Sequence, residues 1–454
     1  MVEHPTPSLK PLKVAIALYF WLLLLEGVLR KWVFPQWSDA IFIIRDPLAI
    51  FAYLLAIQAR VFPVRISLLL VGVMTVASLA FALMGDAPWV VIAFGLRTNY
   101  LHLPLVFVMA QALDRDDVLR YGRWTMLASV PIILLMWRQV DAPPDSWLNA
   151  GASGSDAGQI RGAMGRIRPP GPFSFVSGVV SFFGLAAAFV FHGWLNRGAY
   201  PRLLLWATTA AVAVAVPISL SRSVLFAVLV VTAFGLAVAT RDLRRIPAFL
   251  GPVVATLAVL GFAADSIYVE AYRTRWQESV SAGGGGFSGN VVGRILEEFT
   301  KPFDYAAEAP IFGHGVGVGT IAGARLTTGK YEFALAESEL ARIVLELGPV
   351  LGFAFIAWRA WLALSMVWSG WRKYIREGDS LPWLLAGSSF MAVLMGQWGP
   401  STQLGFAIWG AGLTFAALND PATDEDDEED EEREEGEEED ASDDEAGEEV
   451  PAGS

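Results

Sequence analysis

Apolar runs of membrane-spanning length recur along this chain, separated by mostly short polar connections. They lie at 13–29, 40–57, 66–85, 88–112, 121–140, 173–194, 203–219, 222–240, 246–264, 340–368, 382–398 and 402–418. A helix needs about 20 apolar residues to cross a hydrocarbon layer about 30 Å thick. Backbone polar groups in lipid must bond internally, so each run is best satisfied as a helix. The pattern predicts an all-α polytopic membrane protein with about twelve transmembrane helices. Its parts are a cytoplasmic N-terminus (1–12), spans one to nine (13–264), a large periplasmic loop between spans nine and ten (265–339), spans ten to twelve (340–419) and a tail (420–454). The first run has no A-x-A-like cleavage site and apolar spans follow it, so it reads as a span and not as a signal peptide.

Charge sets the direction. Alternate connections carry Arg60 and Arg65; Arg115, Arg120 and Arg123; Arg197 and Arg202; Arg241, Arg244 and Arg245; and Arg372, Lys373 and Arg376. Cytoplasmic loops collect Lys and Arg, so both termini are expected in the cytoplasm. Arg30 and Lys31 run against that rule, which makes the first hairpin the least determined part of the topology. Arginines also gather on the opposite, outer side: Arg161, Arg166, Arg168, Arg222, Arg294 and Arg325. Guanidinium holds phosphate oxygens in a two-point geometry, so an anionic substrate at that face is the simplest explanation.

Composition narrows the classes. Apolar residues make up 54% of the chain and charged residues 17%, below the roughly 25% of soluble domains. With no Cys and four scattered His, the sequence offers no disulfide framework, no thiolate and no metal cluster, and no cofactor is expected. The net charge of -13 hides two parts. Residues 420–454 hold 21 acidic residues and one Arg, leaving the remainder at +7. Such a polyanionic tail repels itself, so it reads as disordered; a solvated tail is the simpler reading and a dock for a basic partner the sharper one. Nothing points to nucleic acid.

Some charges fall inside or beside spans. Glu26 and Arg30 are four apart, on one helix face, and read as a structural ion pair bracing the first two spans, where Arg45 and Asp46 follow. Arg97 lies near Asn99 and His102. Isolated ionisable groups in lipid cost a few kcal/mol unless they are paired.

Four segments look chemical. The first is the outer loop Arg161-Gly-Ala-Met-Gly-Arg166-Ile-Arg168-Pro-Pro-Gly171-Pro-Phe, whose prolines and glycines set a rigid turn under three arginines; headgroup anchoring is the plain alternative. The second is the corner Ser219-Leu-Ser221-Arg222-Ser223, an arginine flanked by hydroxyls that suits a phosphate clamp, against simple snorkelling. The third, in 265–339, has a glycine run at 283–286, Arg294 opening an amphipathic piece, and Gly313-His314-Gly315-Val-Gly317-Val-Gly319. This last run lacks the strand and βαβ context of a nucleotide loop and suits close packing against a helix or an extended ligand. The fourth is Glu337-Ser338-Glu339-Leu-Ala-Arg342 leading to Glu346-Leu-Gly348-Pro. Glu337 and Glu339 lie at the outer boundary, where burial raises a carboxylate pKa and suits it to general-base work. A helix cap or an ion pair with Arg342 is the alternative.

Taken in order, these motifs resemble the O-antigen ligase and polysaccharide polymerase superfamily of bacterial inner membranes, over about residues 13–418. The resemblance implies a metal-independent glycosyltransferase that moves glycan from an undecaprenyl-diphosphate carrier to a lipid or glycan acceptor at the periplasmic face. It places the diphosphate on Arg222 and Arg294, with Arg168 in support, and the substrate loop around Arg161, Arg166, Gly313, His314 and Gly315. Where the family carries His-Asn nine residues before the Glu of Leu-x-Glu-x-Gly, Glu346 sets the register here and Glu337-Ser338 stand in that place. This departure argues against a lipid A ligase and toward a polymerase or exopolysaccharide branch, with Glu337 or Glu339 as base. The competing class is a transporter or flippase of lipid-linked or anionic saccharides, and an envelope scaffold is a third.

Overall fold

The computed structural model describes residues 8–85, 87–152, 159, 162–262, 265–283, 287–329 and 333–420. Among these there is no β-strand, and nine helices are long and apolar enough to cross a membrane. A helix covers each of the twelve apolar stretches, three of them with shorter segments: Arg202–Ile218, Leu381–Met395 and Ser401–Ala416. The outward faces keep the apolar character a lipid-facing surface needs. Leu54, Val73 and Leu364 are all exposed, and such a surface would aggregate in water. At the centre stands Val176–Leu195, buried on nearly every side. Phe20, Tyr121 and Trp409 interlock beside it, with ring centroids 4.8 to 5.5 Å apart.

Cross-contacts define two ends. At one, Lys13 pairs with Asp114 and Asp117, Arg115 with Asp379, and Asn196 donates to Ser380. The Asp114–Asp117 pair is also the capping box that starts the Arg115–Asp141 helix, satisfying amide donors that would otherwise be orphaned. At the other end, Lys31 Nζ donates to the carbonyls of Gly171 and Phe173, both at 2.8 Å. Arg166 pairs with Asp141 there, and Arg325 with Asp39.

The stretch expected as a single span over 340–368 departs from expectation. Gly348 leaves helical conformation with φ 78°, and the chain reverses there. The proof is geometric. In a straight helix Glu339 and Arg359 would be about 30 Å apart, yet Glu339 Oε1 and Arg359 Nη1 are 3.0 Å apart. A Cβ on Gly352 would meet the Cα of Val344. The segment from Glu339 to Leu347 is therefore a short helix folded back along the span that begins at Pro349. Proline explains where the break falls: it has no N–H for the carbonyl of Leu345, and its ring opposes a continuing turn. His314 N–H bonds that carbonyl at 2.8 Å, and Gly315 N–H bonds the carbonyl of Glu346 at 3.1 Å. Gly313, at φ 72°, lies so close to Glu346 that a side chain would strike its carbonyl.

Candidate functional site

The glycine-rich run thus packs on a helix, one of the two roles its sequence suits. Its amides do more than that. Gly317 N–H and Gly319 N–H donate to the two carboxylate oxygens of Glu346, at 3.0 and 2.8 Å, while Arg342 Nη1 approaches the same carboxylate at 2.6 Å. Arg342 also grips Glu339 in a two-point contact and reaches the side-chain oxygen of Asn99. Glu339 additionally accepts from Arg359 and from the backbone N–H of Trp398. Arg359 completes its own set on the carbonyls of Val393 and Gly396 and lies 3.8 Å over the Trp398 ring.

A second buried network stands beside the first. Glu26 pairs with Arg30 and Arg45 and accepts from Ser401 Oγ at 2.5 Å. Arg45 also meets Tyr19 and the carbonyl of Ser401. Asp46 holds Arg97 and His102, and His102 contacts Tyr19. The Arg97–Leu101 turn is a π-helix, and it links the networks: Arg97 belongs to one and Asn99 to the other. The expected Glu26–Arg30 brace is present and extends to a third span through Ser401. His102 is the satisfied buried residue that its apolar surroundings suggest.

The two candidate carboxylates sit in different surroundings. Glu339 is buried and its oxygens accept four hydrogen bonds, three of them from arginines. A carboxylate held this way by two guanidinium groups stands in the ion-pair arrangement that the sequence offered as the alternative to a base. Glu337 is exposed at the mouth of the folded-back helix, where its carbonyl accepts from Gln397. Ser338 caps that helix, and Glu298 accepts from both Ser338 Oγ and Leu340 N–H at 2.9 Å. Arg294 lies one turn before Glu298 in the Phe287–Ala306 helix, so the backbone brings the Arg294 segment beside Glu337. The side chain of Arg294 and all of Arg161 lie outside the described residues. His314 is exposed.

Elsewhere on the same face, three separate segments meet. Gly162 of the first outer loop lies against Leu220 of the Ser219–Ser223 corner. Arg166 pairs with Asp141, and its guanidinium sits 5.5 Å from the ring of Tyr268. Tyr268 donates to Asp141. Arg222 starts its helix within electrostatic range of Tyr272, whose phenol burial pushes up to about 12 while Arg222 pulls it down. The Tyr272 hydroxyl is buried with no hydrogen-bond partner among the described residues, a polar group beside a cation. Arg168 is half-buried in the same loop. Beneath them runs a groove with a volume of about 590 Å³, lined among others by Ile133, Trp137, Val214, Ile218, Phe262 and Tyr268. That volume suits a small ligand or part of a chain. Among the described residues no His, Asp or Glu cluster could hold a metal.

Sequence reading missed Arg359, Glu298, Tyr272 and the groove. The first two take meaning only from partners distant in the chain. A tyrosine signal was available at 268 and 272, in a polar stretch directly after a span. Comparison with protein families, with curated proteins and with solved structures finds no match for this chain.

Proposed function

We propose that this chain is an integral-membrane glycosyltransferase of the O-antigen ligase and polysaccharide polymerase type, working from a lipid-diphosphate carrier. One observation carries the reading: the outer loop, the Ser219–Ser223 corner and the Ile267–Gly283 helix converge at the mouth of an apolar groove. An amphiphile with a long apolar chain and an anionic head fits that combination. The chain would lie along the groove, with the diphosphate at Arg222 and Arg168, and Arg294 would approach from the neighbouring helix. As the glycosidic bond to the carrier breaks, charge grows on the departing diphosphate, and fixed guanidinium groups stabilise it. Glu337, free of the ion pairs that hold Glu339, would take the proton from the acceptor hydroxyl. In this reading the face is periplasmic, both termini are cytoplasmic and all twelve apolar stretches cross.

The transporter reading gains support from the buried ionic layer and the helix broken at Gly348, both common at transport sites. Purified protein in vesicles with an undecaprenyl-diphosphate glycan separates the two. A glycosyltransferase forms a new glycosidic bond and releases carrier diphosphate. Movement of labelled carrier across the bilayer with no new bond would overturn the proposal.

A further inference from the structure

The arginine-rich end of the bundle has an excess of exposed positive charge. Arg123, Arg197, Arg202, Arg244, Arg372 and Arg376 are exposed there, and none has an ion-pair partner among the described residues. The acidic segment leaves the bundle at this same end. Asn419 is fixed by hydrogen bonds to the carbonyls of Ala110 and Leu113, and Asp420 pairs with Lys373 at 2.8 Å. Beyond it, residues 421–454 carry 20 acidic residues and one Arg.

We propose that residues 421–454 dock on this chain's own arginine-rich end and shield it from other polyanions, above all anionic lipid headgroups. Three arguments support that occupant. Charge is complementary, a dense polyanion against unpaired guanidinium groups. The exit point is already engaged, because the Lys373–Asp420 pair starts the segment on the surface it would cover. Length suffices, since the segment can extend to about 110 Å, and a bundle with helices 8–10 Å apart is roughly 40 Å across. Tethering then supplies a high effective concentration, which a free anion must overcome. The contact is electrostatic and near water, so salt weakens it: screening length falls from about 10 Å at 0.1 M to about 3 Å at 1 M. The inference does not depend on the proposed glycosyl transfer.

The chain has no cysteine, so spin labels can be placed on the full protein at Leu243→Cys and Ser442→Cys. In neutral-lipid nanodiscs at about 0.1 M salt the label distances should fall into a short population, and at about 1 M salt that population should empty. Anionic lipid should empty it as well. Distances unchanged by salt would overturn the proposal, since a solvated tail or one held by apolar contacts gives that result. A second measurement needs no labels. Removing 421–454 should raise affinity for anionic vesicles by about tenfold or more at low salt, with little change for neutral ones. Equal affinities with and without the segment would overturn the proposal too.

Discussion

Glu337 and Glu339 stand two positions apart, one exposed and one buried among Arg342, Arg359 and the Trp398 N–H. Neutralising them should have opposite signatures. Glu339→Gln leaves two buried guanidinium groups undercompensated, and breaking a buried pair in this way costs about 3–5 kcal/mol. A thermal melt in detergent should show it as a large loss of stability, and an unchanged melt would remove Glu339 from the structural network. Glu337→Gln should melt like the parent and still bind carrier while transfer slows, because only the proton acceptor is lost. At the arginine corner, Arg222→Lys should fail nearly as badly as Arg222→Ala, since lysine keeps charge and loses the bidentate fork. A loss of about 30- to 1,000-fold in transfer corresponds to about 2–4 kcal/mol of transition-state stabilisation. Near-parental transfer by both Arg222→Ala and Glu337→Gln would sink the mechanism. A pH effect belongs to Asp379, outside the spans. Burial alone would raise its carboxyl, but the Arg115 guanidinium and the Leu381 N–H outweigh burial and hold it below the usual carboxylate range. A depressed folded pKa gives stability that is present above the unfolded value, about 3.9, and is lost as pH falls through the folded one. Asp379→Asn should therefore be the less stable protein at neutral pH and converge with the parent once the pH falls below the depressed folded value.

Hydropathy located all twelve apolar stretches because each is an apolar run, whether its helix faces outward or, like Val176–Leu195, is buried in the bundle. It did not show that 340–368 contains a reversal, since an apolar residue scores alike whichever way its helix runs. The signal was local and present: Gly348-Pro349 combines the residue that tolerates positive φ with the one that cannot donate to the preceding turn. Substitution can separate the two effects. Gly348→Ala puts a Cβ into the carbonyl of Ile311 at a φ that L residues resist, so folded yield should collapse. Pro349→Ala removes no contact of that kind and should cost far less. Equal yields would mean that the reversal is not fixed by backbone geometry. The short helices Leu381–Met395 and Ser401–Ala416 have a related consequence. At 1.5 Å per residue each spans less than about 25 Å, so the loop between them ends below the outer ends of longer helices. That leaves room for the folded-back helix, and Glu337 bonds to Gln397 at this level.

Across the whole molecule, what was legible followed charge and what was hidden followed contact. The outer arginine segments could be named because each lies at a span end, where the alternation of loop charge assigns a side. Of the buried ionic layer only the local pairs Glu26–Arg30 and Glu339–Arg342 could be named, because the rest joins residues as far apart as Asn99 and Arg342, or Arg45 and Ser401. Sidedness is accordingly the global property most exposed to test. The structure separates an arginine-rich end, where Asp420 meets Lys373, from the end that carries the outer loop, the corner and the groove. The positive-inside rule puts the first end in the cytoplasm, and transfer from a lipid-diphosphate carrier needs the second outside. Single cysteines at Gly285 and Ser442 in this Cys-free chain turn that into one measurement. In spheroplasts an impermeant maleimide should label the Gly285 position at once and the Ser442 position only after the membrane is opened. Labelling of the Ser442 position in intact cells would invert the bundle. It would turn the Arg222 corner and Glu337 toward the cytoplasm, and glycosyl transfer at the outer face would fall with them.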